Sequence, residues 1–176
     1  MEENGTPVRI PWEEQRVSPR ELNEELVTLL PRLRRFARVL TRNPVDADDL
    51  VQLALERALR HADQLRADAP VAGWVFGILR NAWIDERRAR ARSERIFAPE
   101  GPEQAGDSAH GSREELLSVQ DAMARLPEEQ RSAVALVLIE GLSYKEAAQV
   151  MEVPIGTLTS RLARGREALA RMLGEV

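Results

Sequence analysis

Between Gly141 and Arg166 the chain carries residue types spaced as two short helices joined by a tight turn, an arrangement that sets a helix against the base edges of DNA. Ser143 suits a helix N-cap, and Glu146 three positions on completes a capping box. Ala147 and Ala148 are small enough for a second helix to cross closely. Pro154 fits the first turn of that helix, where its missing amide proton is not needed. There Ile155, Leu158 and Leu162 share the side to be buried. At about 100° per residue this leaves Thr159, Ser160, Ala163 and Arg164 outward. Short side chains admit close approach to a base, and Arg164 has the reach for a base or a phosphate. Arg161, Arg166 and Arg171 flank it as phosphate anchors or ordinary surface charge. A plain helical hairpin has the same periodicity, so the pattern alone leaves both readings open.

A second candidate surface lies upstream. From Val71 to about Arg92 the helical period turns Trp74, Ile78, Leu79 and Ile84 towards a core. The second half of that stretch is basic, with Arg80, Arg87, Arg88, Arg90 and Arg92 against Asp85 and Glu86. Such a run is commonly a solvated helix face. Trp74 and Trp83 in the same helix add the aromatic rings on which unpaired bases stack. A third cluster, Asp46, Asp48 and Asp49, opens another helix, where free amides and the helix dipole favour carboxylates. That explains the cluster better than cation binding does.

The elements that must position these residues read as helices throughout. Leu26, Leu29, Leu30, Leu33, Phe36, Ala37 and Leu40 follow three-four spacing, with Pro31 expected to kink or break the helix. Asn43 and Pro44 punctuate, and a helix from about Asp46 carries Leu50, Val51, Ala54, Leu55 and Ala58. Residues 1–21, with Pro7, Pro11 and Pro19, read as a flexible tail. Residues 93–113 hold two prolines, three glycines and several acids, and read as a linker. So long a connection favours two domains, 22–92 and 114–176, over one. The expected fold class is all-α, two small helical domains joined by that linker. In the second, Leu116, Leu117, Val119, Met123 and Leu126 precede a break at Pro127, and a helix through Val134, Leu136, Val137 and Leu138 ends at Gly141.

Composition narrows the function classes. Of 176 residues 43% are hydrophobic, 31% charged and only 4% aromatic, fit for a soluble protein with an aliphatic core. There is no cysteine and only two, distant histidines, so no disulfide, metal site or cofactor is expected. A net charge of −4 argues against bulk coating of nucleic acid and directs attention to local charge. No apolar run nears the ~18 residues of a membrane span, and no signal peptide is visible, so a cytoplasmic location is expected. No phosphate loop or nucleophile with a nearby base marks an enzyme.

Several strings resemble a known family. Leu126-Pro-Glu-Glu-Gln-Arg131, Glu140-Gly-Leu-Ser-Tyr144 and Pro154-Ile-Gly-Thr-Leu158 resemble region four of extracytoplasmic-function sigma factors of the sigma-70 family. Asp46-Ala-Asp-Asp-Leu-Val-Gln52 and Gly73-Trp-Val-Phe-Gly-Ile-Leu-Arg-Asn81 resemble its region two, in the same order. Leu29 to Ala37 with Ala47 to Leu50 further resembles the general-stress type of alphaproteobacteria. The resemblance implies a transcription initiation factor, not an enzyme, that directs RNA polymerase to promoters in a stress response. It implies docking of Asp46, Asp48, Asp49 and Gln52 on the beta-prime clamp helices of core polymerase. Trp74, Arg80, Asn81, Trp83, Arg87 and Arg88 would recognise and melt the −10 element. Thr157, Thr159, Ser160, Arg161, Ala163 and Arg164 would read the −35 element. The implied partners are core polymerase, promoter DNA and an anti-sigma factor, without membrane insertion. Two other functions suit the same residues: a sigma mimic that sequesters an anti-sigma factor, and a stand-alone helix-turn-helix regulator. Glu152 departs from the pattern, standing at a turn where glycine is frequent because positive φ costs other residues roughly 1 kcal/mol.

Overall fold

A computed structural model describes residues 17–65, 69–97 and 118–174. Its elements are α1 (Pro19–Thr41), α2 (Pro44–Arg60), α3 (Val71–Phe97), α4 (Val119–Arg125), α5 (Glu128–Val134), α6 (Tyr144–Met151) and α7 (Ile155–Leu173). A 3-10 turn (Ala62–Gln64) follows α2, and a π-helical turn (Ala135–Ile139) continues α5. The fold is all-α, and no strand occurs among the described residues.

Local chemistry sets the ends. Ser18 accepts from the Glu21 amide at 3.2 Å, and Glu21 Oε2 accepts from the Ser18 amide at 3.0 Å. This box starts α1 at Pro19, inside the segment expected to be a tail; most of that segment, residues 1–16, lies outside the described residues. Pro31 does not break α1. It lies on the exposed face, and the Val27 carbonyl, deprived of its donor, belongs to a residue 65% exposed, where water can supply one. Asn43 caps α2 by accepting from the Val45 amide at 2.9 Å, which begins the helix at Pro44 rather than near Asp46. α3 runs five residues into the expected linker, meeting neither glycine nor proline before Pro99. The remainder of that linker, with Leu116 and Leu117, lies outside the described residues.

α1, α2 and α3 pack together around Leu33, Phe36, Leu50, Ala54, Phe76 and Leu79, all fully enclosed. The rings of Phe36 and Phe76 meet edge to face, centroids 5.5 Å apart. α5, α6 and α7 form a second unit around Val134, Leu136, Met151, Leu158 and Leu162. There Gly165 permits a close crossing, since a Cβ on it would stand 2.8 Å from Val134 Cγ2 and 3.3 Å from the Gln130 carbonyl oxygen. The two units touch: α3 packs on α6, and α1 packs on α5 and the π turn. Their buried side chains form one continuous apolar cluster.

Candidate functional site

The turn between α6 and α7 is built as its residues dictate. Ser143 accepts from the Glu146 amide at 3.2 Å, and Glu146 Oε2 accepts from the Ser143 amide at 2.8 Å. Glu152 closes α6 at φ 54° and ψ 43°, the left-handed conformation expected of that turn. The carbonyl of Pro154 accepts from Thr157 at 2.9 Å and Leu158 at 3.1 Å, so the proline precedes α7 by one residue. Leu158 and Leu162 are buried as expected, but Ile155 is 51% exposed. Pro154, Ile155 and Gly156 are all exposed, so the first turn of α7 projects beyond the helices that cover Leu158.

Hydrogen bonds from Ser143 hold the Glu146 carboxyl below its ordinary value, the hydroxyl contributing more than the backbone amide. A depressed carboxyl stabilises the fold above its unfolded-state value and loses that contribution as pH falls through the folded-state value. Ser143→Ala is expected to lower stability by about 1 kcal/mol at neutral pH. The difference should shrink in acid, and Glu146 should titrate higher, as read by denaturation at two pH values and carboxyl NMR. An unmoved Glu146 titration would contradict this.

On α7, Thr159, Ser160, Ala163 and Arg164 form one exposed face, with Thr157 and Arg161 at its partly buried margin. The Thr159 hydroxyl donates to the Ile155 carbonyl at 2.9 Å and that of Ser160 to Thr157 at 2.9 Å, leaving both oxygens free to accept. On α2, Asp48 and Asp49 are exposed. Asp48 stands 3.4 Å from Arg34 Nε, Asp46 stands 3.8 Å from Arg90, and Gln52 donates to Glu56 at 3.1 Å.

The α3 residues are placed differently from an open, DNA-facing surface. Arg80 is only 8% exposed, burial pulls its pKa below the ordinary arginine value, and Glu129 Oε1 lies 3.5 Å away. Asn81 donates from Nδ2 to Glu152 Oε1 at 3.0 Å. Trp83 is buried, and its indole N–H has no partner among the described residues. Arg87 lies 6.0 Å from the Trp83 ring centroid and pairs with Glu128. Trp74 is half-buried and Arg88 exposed. Glu129 also meets Arg161 of α7 at 2.7 Å, an ion pair whose angles fall short of a directed hydrogen bond. The carboxylates Glu128, Glu129 and Glu140 received no role from the sequence. The signal that could have found Glu140 was an acid directly following the apolar run Val134–Ile139.

Between α1 and α4 lies a cleft of about 480 Å³ whose lining includes Arg35, Arg38, Arg42 and Arg131 with Val39 and Met123.

The molecule is thus two packed helical units, one ending in a helix-turn-helix whose second helix presents a small polar face. Residues 26–93 match sigma-70 region 2 and residues 116–169 match sigma-70 region 4. The chain is 36% identical over 156 residues to the ECF RNA polymerase sigma factor EcfG of Rhodopseudomonas palustris, covering 86% of this chain and 84% of that one. It is 40% identical over 142 residues to the ECF RNA polymerase sigma factor SigM of Mycobacterium tuberculosis, covering 81% and 71%. Its structure is similar to that of the sigma factor RpoE crystallised with the anti-sigma factor NepR from Bartonella quintana. That likeness has a TM-score of 0.74 and 31% identity over 88% of this chain and 98% of that one. The chain belongs to the ECF sigma factors of the sigma-70 family, and it directs promoter-specific transcription initiation.

Proposed function

We propose that promoter recognition is divided between the two units. The exposed α7 face of Thr159, Ser160, Ala163 and Arg164, with Thr157 and Arg161 beside it, reads the −35 element. The α3 residues Trp74, Arg80, Asn81, Trp83, Arg87 and Arg88 recognise and open the −10 element. Asp46, Asp48, Asp49 and Gln52 dock on the clamp helices of core polymerase, in the cytoplasm. The observation that carries this reading is the small, solvent-facing polar surface of α7 behind a capped turn, in a chain whose other unit matches sigma-70 region 2. Strand opening draws on binding energy, unpaired bases being captured on aromatic and arginine side chains while polymerase performs the chemistry.

An anti-sigma factor is the restraining partner, as the relative crystallised with NepR supports. The cleft between α1 and α4, with four arginines around Val39 and Met123, suits an acidic amphipathic segment of such a protein. Likeness to EcfG favours a stress-response role.

Transcription of a randomised promoter library by core polymerase with the full chain tests the division. Arg164→Ala is expected to relax sequence preference in the upstream element only, and Asn81→Ala in the downstream element only. Each change corresponds to about 1–3 kcal/mol of discrimination. Preferences that both variants leave unaltered would refute the assignment.

A further inference from the structure

Arg131 of α5 is a buried cation without a counter-ion. It is 7% exposed, yet among the described residues no carboxylate lies within ion-pair distance of it. Its guanidinium carries five N–H donors. The structure gives an acceptor to Nη1, the Ala124 carbonyl at 3.1 Å, and none to the enclosed Nε. A charge enclosed in this way is costly, because buried cations are ordinarily paired. Burial first, and then the neighbouring Arg42 and Arg87 guanidiniums, pull its pKa below the ordinary arginine value.

These three arginines wall one cleft of about 360 Å³, together with Trp83, Leu126 and Glu128. Trp83 brings a second enclosed donor, its indole N–H, that has no acceptor among the described residues. Glu128 is the carboxylate of the lining, and Arg87 already engages it. Three guanidiniums against one carboxylate leave two positive charges over. Phosphate monoesters carry about −1.5 to −2 at neutral pH, and the planar fork of a guanidinium matches two of their oxygens. The cleft falls at the lower end of small-ligand pockets, about 300–1,000 Å³.

We propose that this cleft is a binding site for a small phosphate-class oxyanion, held by Arg42, Arg87 and Arg131. The depth of Arg131 favours a small ligand, since a free ion reaches a donor so enclosed more readily than a polymer backbone lying on the surface does. Arg42 and Arg131 also line the neighbouring cleft between α1 and α4, whereas Trp83 and Arg87 line this one alone. The site does not rest on the assignment of α3 to the −10 element.

Calorimetric titration of the full-length chain with inorganic phosphate, against sodium chloride of equal ionic strength, tests the proposal. One saturable site per chain is expected. Addition of phosphate should move the indole N–H resonance of Trp83 and leave that of Trp74, which does not line the cleft. Arg42 is exposed, so Arg42→Gln is expected to keep the fold and to weaken binding about tenfold, as loss of a charge-assisted contact implies. Arg60→Gln removes the same charge from an exposed position of α2 away from the cleft and should leave binding unaltered. Glycerol phosphate separates the sources: tighter binding than phosphate assigns the site to a phosphomonoester, and weaker binding assigns it to the free ion. No saturable phosphate binding, or equal weakening by Arg42→Gln and Arg60→Gln, would overturn the site. Movement of the Trp83 resonance by polyglutamate but not by phosphate would overturn it in favour of a protein partner's carboxylates.

Discussion

Phe36→Ala is expected to destabilise the N-terminal unit by about 3–5 kcal/mol, a large part of what a small helical domain has to lose. Phe36 has no exposed surface and meets the Phe76 ring edge to face, so truncation leaves a cavity beneath α3 and removes the aromatic pair as well. Arg32 lies over the same Phe76 ring, its guanidinium carbon 5.4 Å from the centroid, so the defect also loosens a side chain that grips Glu140. Equilibrium denaturation checks the loss. A change under about 1 kcal/mol would mean that the α1 and α3 packing is not what stabilises this unit.

Charge reversal on α2 acts elsewhere. Asp48→Arg together with Asp49→Arg is expected to lower promoter-dependent transcription about 100-fold, because like charge set against a docking partner costs several kcal/mol. Stability should scarcely move. The Asp48 to Arg34 pair spans 3.4 Å between side chains that are 55% and 58% exposed, and surface pairs of that kind contribute under about 1 kcal/mol. Asp63→Arg, on the exposed 3-10 turn, should leave transcription unchanged and so separates docking from net charge. Pull-down with core polymerase should fail for the double variant alone. Normal binding and transcription by that variant would remove α2 from the docking surface.

The helix-turn-helix was legible in the sequence because its determinants are local. A capping box spans four residues, a left-handed turn spans one, and the buried Leu158 and Leu162 are a helical period apart. The start of α1 is less legible, because it depends on one capping side chain, Ser18, in a stretch whose Pro19 and charged neighbours have the composition of a tail. Pro31 does not divide α1 in two: the Val27 carbonyl that it leaves without a donor is open to water, so the helix continues past it. The burial of Arg80 and Trp83 and the enclosure of Glu140 arise from contacts between residues far apart in the chain, 108 positions for Arg32 and Glu140. No periodicity within α3 or α5 encodes such a contact. Arg131 was hidden although its partner is only seven positions back. It is buried, it donates to the Ala124 carbonyl at 3.1 Å, and burial lowers its pKa below the ordinary arginine value.

Direct reconstitution tests the central claim. Purified full-length chain is mixed with core RNA polymerase and genomic DNA fragments, and the 5′ ends of the transcripts are mapped. The expected result is a set of discrete start sites absent from core enzyme alone and from chain alone, sharing paired upstream and downstream elements. A folded chain that yields no chain-dependent start sites, or that fails to bind core polymerase while still capturing an anti-sigma factor, would contradict it.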